Sequence, residues 1–369
     1  MGLSLALHLI TAYFSVGHLF ADEYFQILEF ASAKLGNTPL ESLTVEFHEK
    51  MRPWLQPYLY WILAKGWLIA GVSNPFTWAL SFRMMTGLVG WASLVFIGRC
   101  VPIWFKDPRA QRFCIQASAL LWFLPALQSR PSSESLGGTF FLLSTAVFCL
   151  LSQVPQAHSA LKPTWNQPLW KWIGCGFLLG MSFNFRYQMA AMIGGLGLWA
   201  IVASNARKKF AITSTLGARE FSSIAGGLIV ATGLGIILDY IGYGQWVLTP
   251  WRYFNYNLIR GEMNRFGQAP WWDFFRMSMT EAWPFIGFAL LITSIVAWLR
   301  HPRHPLTWAG VPFYLLHSVI AHKELRFLFP LAMHGPILSH PLKALILSTL
   351  SSTQRPILST LSSSQRFIL

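Results

Sequence analysis

The sequence predicts an all-α polytopic membrane protein, on three observations. Of its 369 residues, 54% are hydrophobic and only 11% are charged, against roughly 25% charged in soluble domains. About ten apolar runs approach the ~20 residues that a helix needs to cross a bilayer. The basic residues fall in short loops between those runs, as the positive-inside rule expects. A net charge of +14 therefore does not read as nucleic-acid binding, which calls for a basic patch on one face or helix.

The expected spans are 3–20, 78–98, 113–127, 136–152, 172–186, 189–204, 221–239, 283–299, 306–321 and 327–347. The first follows no basic n-region and no A-x-A site, so it is expected to be a span rather than a cleaved leader. The run 54–72 is different, because it contains Pro57, Lys65 and several aromatics. Counted as a span, it would place Arg99, Lys106, Arg109 and Arg112 on one side and Arg207, Lys208 and Lys209 on the other. Taken as an interfacial or re-entrant helix, it lets loops 99–112, 153–171, 205–220, 300–305 and the tail share one face. That face carries 15 Lys/Arg against two acids, Asp107 and Glu220, whereas the other carries 12 of each when Arg186 and Asp239, the last residues of their spans, are counted with it, and Arg83 lies inside a span. The basic face is then cytoplasmic. Loops 21–77, 128–135, 240–282 and 322–326 look outward. Cys100, Cys114, Cys149 and Cys175 form no CxxC pair and read as small buried hydrophobes. There is no metal-ligand spacing and no Gly-rich phosphate loop.

The outward loops hold the chemistry. Asp22 and Glu23 sit where the first apolar run ends, and carboxylates at a membrane mouth are costly unless they have work to do. On a continuous helix, Asp22, Gln26 and Glu29 share one face, which favours Asp22 over Glu23; a solvated helix start accounts for the acids equally well. In LTVEFHEKMRPWLQP, Arg52 and His48 can meet a phosphate and Glu46 a sugar hydroxyl, against the reading of an amphipathic loop helix stopped by proline. In the turn QSRPSSES, Arg130 and Glu134 are candidates, or a simple mutual pair. In loop 240–282, Arg252, Arg260 and Arg265 offer anion binding and Asn255 and Asn257 can position hydroxyls, while its aromatics serve equally as an interfacial belt. In HKELRFLFP, Lys323 and Arg326 can snorkel, but His322 and Glu324 are harder to explain in that way.

Taken in order, DEYFQ-LE, LTVEF…RPWLQP, RPSSES, YGQWVLTPWRYFNYN and HKELRFLFP resemble the family 22 glycosyltransferases, the GT-C-fold mannosyltransferases of glycosylphosphatidylinositol and asparagine-linked glycan assembly. The resemblance is nearest to the third-mannose branch of the glycosylphosphatidylinositol pathway. It runs from about residue 11 to 330 and implies a 1–330 GT-C-like region with a long first outer loop carrying interfacial helices. It departs at Leu325, where a second acid is expected. Residues 331–369 read as an atypical tail, in which 346–356 is nearly repeated by 357–367.

The resemblance further implies inverting transfer of mannose from a polyprenyl- or dolichyl-phosphate-mannose donor to a hydroxyl of a lipid-linked glycan, with no metal or other cofactor. Asp22 is the implied base, with Glu23 beside it. The implied substrate-binding residues are Gln26, Glu46, Arg52, Arg130, Glu134, Arg252, Asn255, His322, Lys323, Glu324 and Arg326. The expected partners are these lipids and the membrane, with no nucleic acid. The expected location is the endoplasmic reticulum membrane or a bacterial inner membrane, with the site on the non-cytoplasmic face. A transporter or flippase for lipid-linked solutes is the competing class, although alternating access places polar residues near the midplane rather than on one face. An inactive truncated homologue is the third reading.

Overall fold

The computed structural model describes residues 1–105, 107–152, 167–205, 217–281 and 284–338. Among the described residues every regular element is helical. Three helices are long and apolar enough to cross a membrane: Pro75–Trp104, Ser133–Leu151 and Ala218–Tyr243. The other expected spans fall on shorter helices: Gly2–Phe14, Leu169–Phe185, Ala190–Asn205, Pro284–Arg300, Pro305–Val319 and Phe329–Leu338. Length therefore sets three of the ten expected spans apart. The helix Leu55–Ile69, in the ambiguous run, has 15 residues, fewer than a perpendicular crossing needs.

The run 113–127 does not form one helix. It divides into Pro108–Leu120 and Phe123–Ser129, with Leu121 extended between them. Pro125 accounts for the break, since its ring presses on the carbonyl four residues back and it has no N–H to bond there. The helix Phe329–Leu338 begins within the expected span 327–347. The near-repeat at 346–367 lies outside the described residues.

Ser133–Leu151 is the centre of the bundle and the most buried of the three long helices. On one side Phe141 and Phe148 pack with Trp172, Trp199 and Phe313. On the other, Leu142 and Ala146 pack with Ile97, Leu124 and Met333. All four cysteines are free and buried, in keeping with their reading as small hydrophobes.

The closest helix pair is Leu169–Phe185 with Ala218–Tyr243, and small residues make it so. A Cβ on Gly176 would run into the backbone of Ile224, and one on Gly227 into the carbonyl of Ile173. Small residues four apart let two apolar helices meet backbone to backbone and gain the dispersion contacts that hold helices together in lipid. The seam is pinned at one end by Asn184 Nδ2, which donates to the Ala231 carbonyl at 2.6 Å. We expect Gly176→Leu or Gly227→Leu to force the pair apart and cost about 1–3 kcal/mol, read as a lower unfolding midpoint in detergent. Gly174→Leu, at a position where a Cβ meets nothing within 4 Å, should leave the midpoint in place.

Candidate active site

The first helix stops at Phe14, well short of residue 20. Buried Arg83 donates Nε to the Ala12 carbonyl at 2.7 Å, satisfying one of the carbonyls that a helix end leaves open. The chain turns through Gly17 at φ +79° and begins a new helical turn, Ala21–Glu23. A π-helical turn follows, Tyr24–Leu28, before the α-helix Glu29–Leu35. The wider turn breaks the single face expected of Asp22, Gln26 and Glu29. Gln26 faces Glu46, whereas Glu29 lines a separate groove with Tyr24 and Tyr60. π-turns inside α-helices recur at functional sites because they re-aim side chains by one position.

Asp22 meets residues from two other segments. Its Oδ2 lies 2.5 Å from Arg326 Nη1 and 3.8 Å from Arg52 Nη2. Arg52 also reaches Glu46 Oε1 at 3.9 Å, and Glu46 accepts a hydrogen bond from Gln26 Nε2 at 2.7 Å. Arg326 is the hub. Its Nε lies 2.6 Å from Glu324 Oε2 and 3.7 Å from Glu134 Oε1, and its Nη2 donates to Glu324 Oε1 at 2.9 Å. His322 Nε2 donates to the same Glu324 oxygen at 2.9 Å. Glu134, in the first turn of the central helix, is 3.0 Å from Arg186 Nη2 and accepts from the Ser132 and Ser133 hydroxyls. Rings cover the cations: Arg326 lies between Phe20 and Phe327, Arg186 over Phe327, and Arg52 over Tyr253.

Electrostatics follows from burial and pairing. Burial works against the Arg52 charge, but Asp22 and Glu46 more than offset it and raise its pKa. Arg326 is raised in the same way, by Glu134, Asp22 and Glu324. Burial alone would raise Glu324, yet His322 and Arg326 bring it from 4.5 down to about 2.

Several expected residues lie elsewhere. Glu23 turns away from Asp22, pairing with Arg130 at 3.7 Å and accepting the Leu19 N–H at 3.4 Å; burial pushes its carboxyl up despite Arg130. Arg130 thus partners Glu23 rather than Glu134, and its Nη1 also donates to the Gly17 carbonyl. Lys323 donates to the backbone carbonyls of Ile320 and Ala269, tying two loops together. His48 bonds the Leu43 carbonyl. Arg252 is exposed and Asn255 half-buried; it is Tyr253 between them that touches the cluster. Arg260 and Arg265 pair with Glu49 and Glu262. Trp246, Trp251, Phe266, Trp271 and Trp272 are exposed, as an interfacial belt requires. Arg186 was missed because the expected span 172–186 absorbed it. The available signal was a lone arginine at a two-residue outward turn between apolar runs.

The arrangement binds three arginines, Arg52, Arg186 and Arg326, to four carboxylates. Asp22 Oδ2, Glu134 Oε1, Arg52 Nε and Arg326 Nε are buried, and none makes an aligned hydrogen bond within the protein. Asp22 Oδ2, Glu134 Oε1 and Arg326 Nε still sit in ion pairs of 2.5, 3.0 and 2.6 Å, which leaves Arg52 Nε as the buried donor of this cluster with no partner among the described residues, where buried polar atoms are normally satisfied. A small pocket of about 20 Å³ opens beside it, lined by Gln26, Arg52, Gln56, Ser133, Arg186 and Tyr253. Among the described residues no cluster of His, Cys, Asp and Glu is arranged to hold a metal.

The family model described as the Alg9-like mannosyltransferase family matches residues 2–365. GPI mannosyltransferase 3 of Trypanosoma brucei brucei (strain 927/4 GUTat10.1) is 32% identical over 165 residues, 41% of this chain and 28% of that protein. Mannosyltransferase APTG1 of Arabidopsis thaliana is 22% identical over 325 residues, 87% of this chain and 53% of the relative. GPI alpha-1,2-mannosyltransferase 3 of Homo sapiens is 28% identical over 103 residues, 27% of this chain and 18% of that protein. The chain spans about half, or less, of the length of these relatives. No solved structure matches.

Two expectations follow from the ion network. Arg326→Ala leaves three carboxylates facing one another and should cost about 3–5 kcal/mol, whereas Arg260→Ala, at a pair 43% and 30% exposed, should cost less than about 1 kcal/mol. Unfolding in detergent measures both. Because Glu324 is depressed from 4.5 to about 2, its contribution to stability is fully present above 4.5 and is lost as pH falls through about 2. Glu324→Gln should therefore flatten the fall in unfolding midpoint over that window; an unchanged acid limb contradicts the pairing.

Proposed function

The chain belongs to the Alg9-like mannosyltransferase family, and from that membership we propose that it is a membrane-embedded mannosyltransferase. The donor is a polyprenyl- or dolichyl-phosphate-mannose. The acceptor is a hydroxyl of a lipid-linked glycan, on the luminal or periplasmic face. The names of the relatives point to glycosylphosphatidylinositol assembly, and hence to the endoplasmic reticulum in a eukaryote. The observation that carries the reading is the carboxylate of Asp22 held against two guanidinium groups, Arg52 and Arg326, beside a bundle of apolar helices.

The chemistry assigns each group a task. The acceptor oxygen attacks the anomeric carbon from the side opposite the phosphate, so configuration inverts. Asp22 takes the proton of that hydroxyl as the new C–O bond forms. The bond from the anomeric carbon to the phosphate oxygen breaks, and its electron pair leaves with the phosphate. A phosphodiester becomes a monoester, so negative charge grows on the leaving group. Arg52, Arg186 and Arg326 stabilise that growing charge more than they stabilise the ground state. Gln26 and Glu46 hold sugar hydroxyls.

The cluster also governs when the base becomes available. Arg52 and Arg326 already face carboxylates, so a phosphate that reaches them meets Asp22 at the same groups. The donor phosphate and Asp22 compete for the same guanidinium groups, so arrival of the donor releases Asp22 to accept a proton.

The test is mannose transfer by the purified chain in liposomes, from labelled polyprenyl-phosphate-mannose to a glycolipid acceptor. Asp22→Asn should reduce transfer by about 10²-fold or more, well beyond what the fall in unfolding midpoint from removing one of the carboxylates that face Arg52 and Arg326 accounts for. Arg186→Ala should lower kcat by about 10²-fold. Substantial turnover by Asp22→Asn removes the base assignment, and movement of lipid across the bilayer without transfer supports the transporter class instead.

A further inference from the structure

The helix Ala218–Tyr243 carries one acid beyond its first turn, Asp239, and this side chain is 2% exposed. An acid buried in an apolar helix is costly and needs a stated partner. Asp239 Oδ1 accepts the backbone N–H of Trp54 at 2.8 Å. One turn later, the Tyr243 hydroxyl donates to the Arg52 carbonyl at 2.8 Å and accepts the Arg52 N–H at 3.3 Å. Between them, Gly242 has no side chain, and a Cβ there would strike the indole of Trp54. Tyr243 meets that indole edge-on at 5.7 Å.

Two residues of one helix end thus grip the backbone of Arg52 and Trp54, and Gly242 makes room for the Trp54 indole. The segment needs holding, because Lys50 lies at φ 54°, a left-handed conformation that costs energy for a residue with a Cβ. Such strain persists only where the surroundings over-determine it. The same packing fixes the turn that carries Glu46, for Phe47 packs with Phe30, Trp54 and Tyr243. The helix end is itself anchored: Lys34 Nζ donates to the Ile241 carbonyl, and Gly244 closes the helix in the left-handed region.

We infer that Asp239 and Tyr243 are positioning residues, which act through the backbone of Trp54 and Arg52 to hold the Arg52 guanidinium against Asp22 and Glu46. This rests on the proposed function. Neither residue touches the reacting atoms. What Asp239 supplies is a hydrogen-bond acceptor rather than a charge, so an asparagine, whose Oδ1 also accepts, should serve in its place.

The experiment compares Asp239→Ala, Asp239→Asn and Tyr243→Phe, each alone and in an Arg52→Ala background. Deuterium exchange of the peptide spanning residues 50–56 reports the clamp without reference to activity. Mannose transfer reports its consequence. Asp239→Ala and Tyr243→Phe should speed exchange there and lower transfer about tenfold. Asp239→Asn should retain transfer within about threefold. In the Arg52→Ala background the same changes should cost less than about twofold, because they act through a side chain already gone. Should Asp239→Ala fail to fold, Tyr243→Phe, which removes a single oxygen, carries the comparison. Equal losses in both backgrounds, unchanged exchange, or failure of Asp239→Asn to restore transfer each overturn the inference. A parent chain that transfers nothing tells against the proposed function first and takes the positioning role with it, while exchange still decides whether the clamp exists.

Discussion

One guanidinium is shared by three carboxylates, and one end of the helical bundle is organised around it. Arg326 reaches Asp22, Glu134 and Glu324, which lie far apart in sequence. Each charge would be expensive to remove from water alone, and removing one member strands the others. The pairing therefore works as a constraint on the fold: the loop after the first helix, the start of the central helix and the turn before Phe329–Leu338 must converge. Phe20 and Phe327 lie 5.5 and 5.6 Å from the guanidinium, and their apolar rings lower the local dielectric and so strengthen the attraction.

The bundle supplies the rigidity that this convergence requires. The central helix presents Glu134 in its first turn, where the helix dipole favours a negative charge. The glycine seam brings Ala218–Tyr243 close to Leu169–Phe185, and the far ends of those two helices deliver Asp239 and Arg186 to the site. Local distortions do the fine aiming. The π-turn at Tyr24–Leu28 directs Gln26 to Glu46, and the left-handed Lys50 folds the chain so that Arg52 faces Glu46 and Asp22 together.

Much of this was legible in the sequence because it depends on amounts. Low charge and long apolar runs gave the membrane class, and the loop charges collected Asp22, Glu46, Arg52, Glu134, His322, Glu324 and Arg326 onto one face before any contact was known. The misses concern register and pairing. The split at Leu121 follows from one ring, Pro125, which hydropathy counts as neutral. The π-turn leaves no mark in helical periodicity, so Glu29 was grouped with Asp22. Arg186 was hidden at the edge of an apolar run. Arg130 and Glu134 lie close in sequence, but each found a partner from another segment. In loop 240–282 composition could not separate belt from site, and the structure divides them residue by residue: Tyr253 turns in under Arg52, while Trp251 and Arg252 face out.

The central claim is that this shared ion network receives the phosphate and sugar of a lipid donor. A photoreactive polyprenyl-phosphate analogue, crosslinked to the purified chain in liposomes and mapped by peptide mass spectrometry, tests it most directly. The account predicts adducts on the segments around Asp22–Gln26, Glu46–Arg52 and His322–Phe327, competed away by unlabelled polyprenyl phosphate. Labelling confined to other helices, or labelling at these segments that excess polyprenyl phosphate fails to displace, would contradict it.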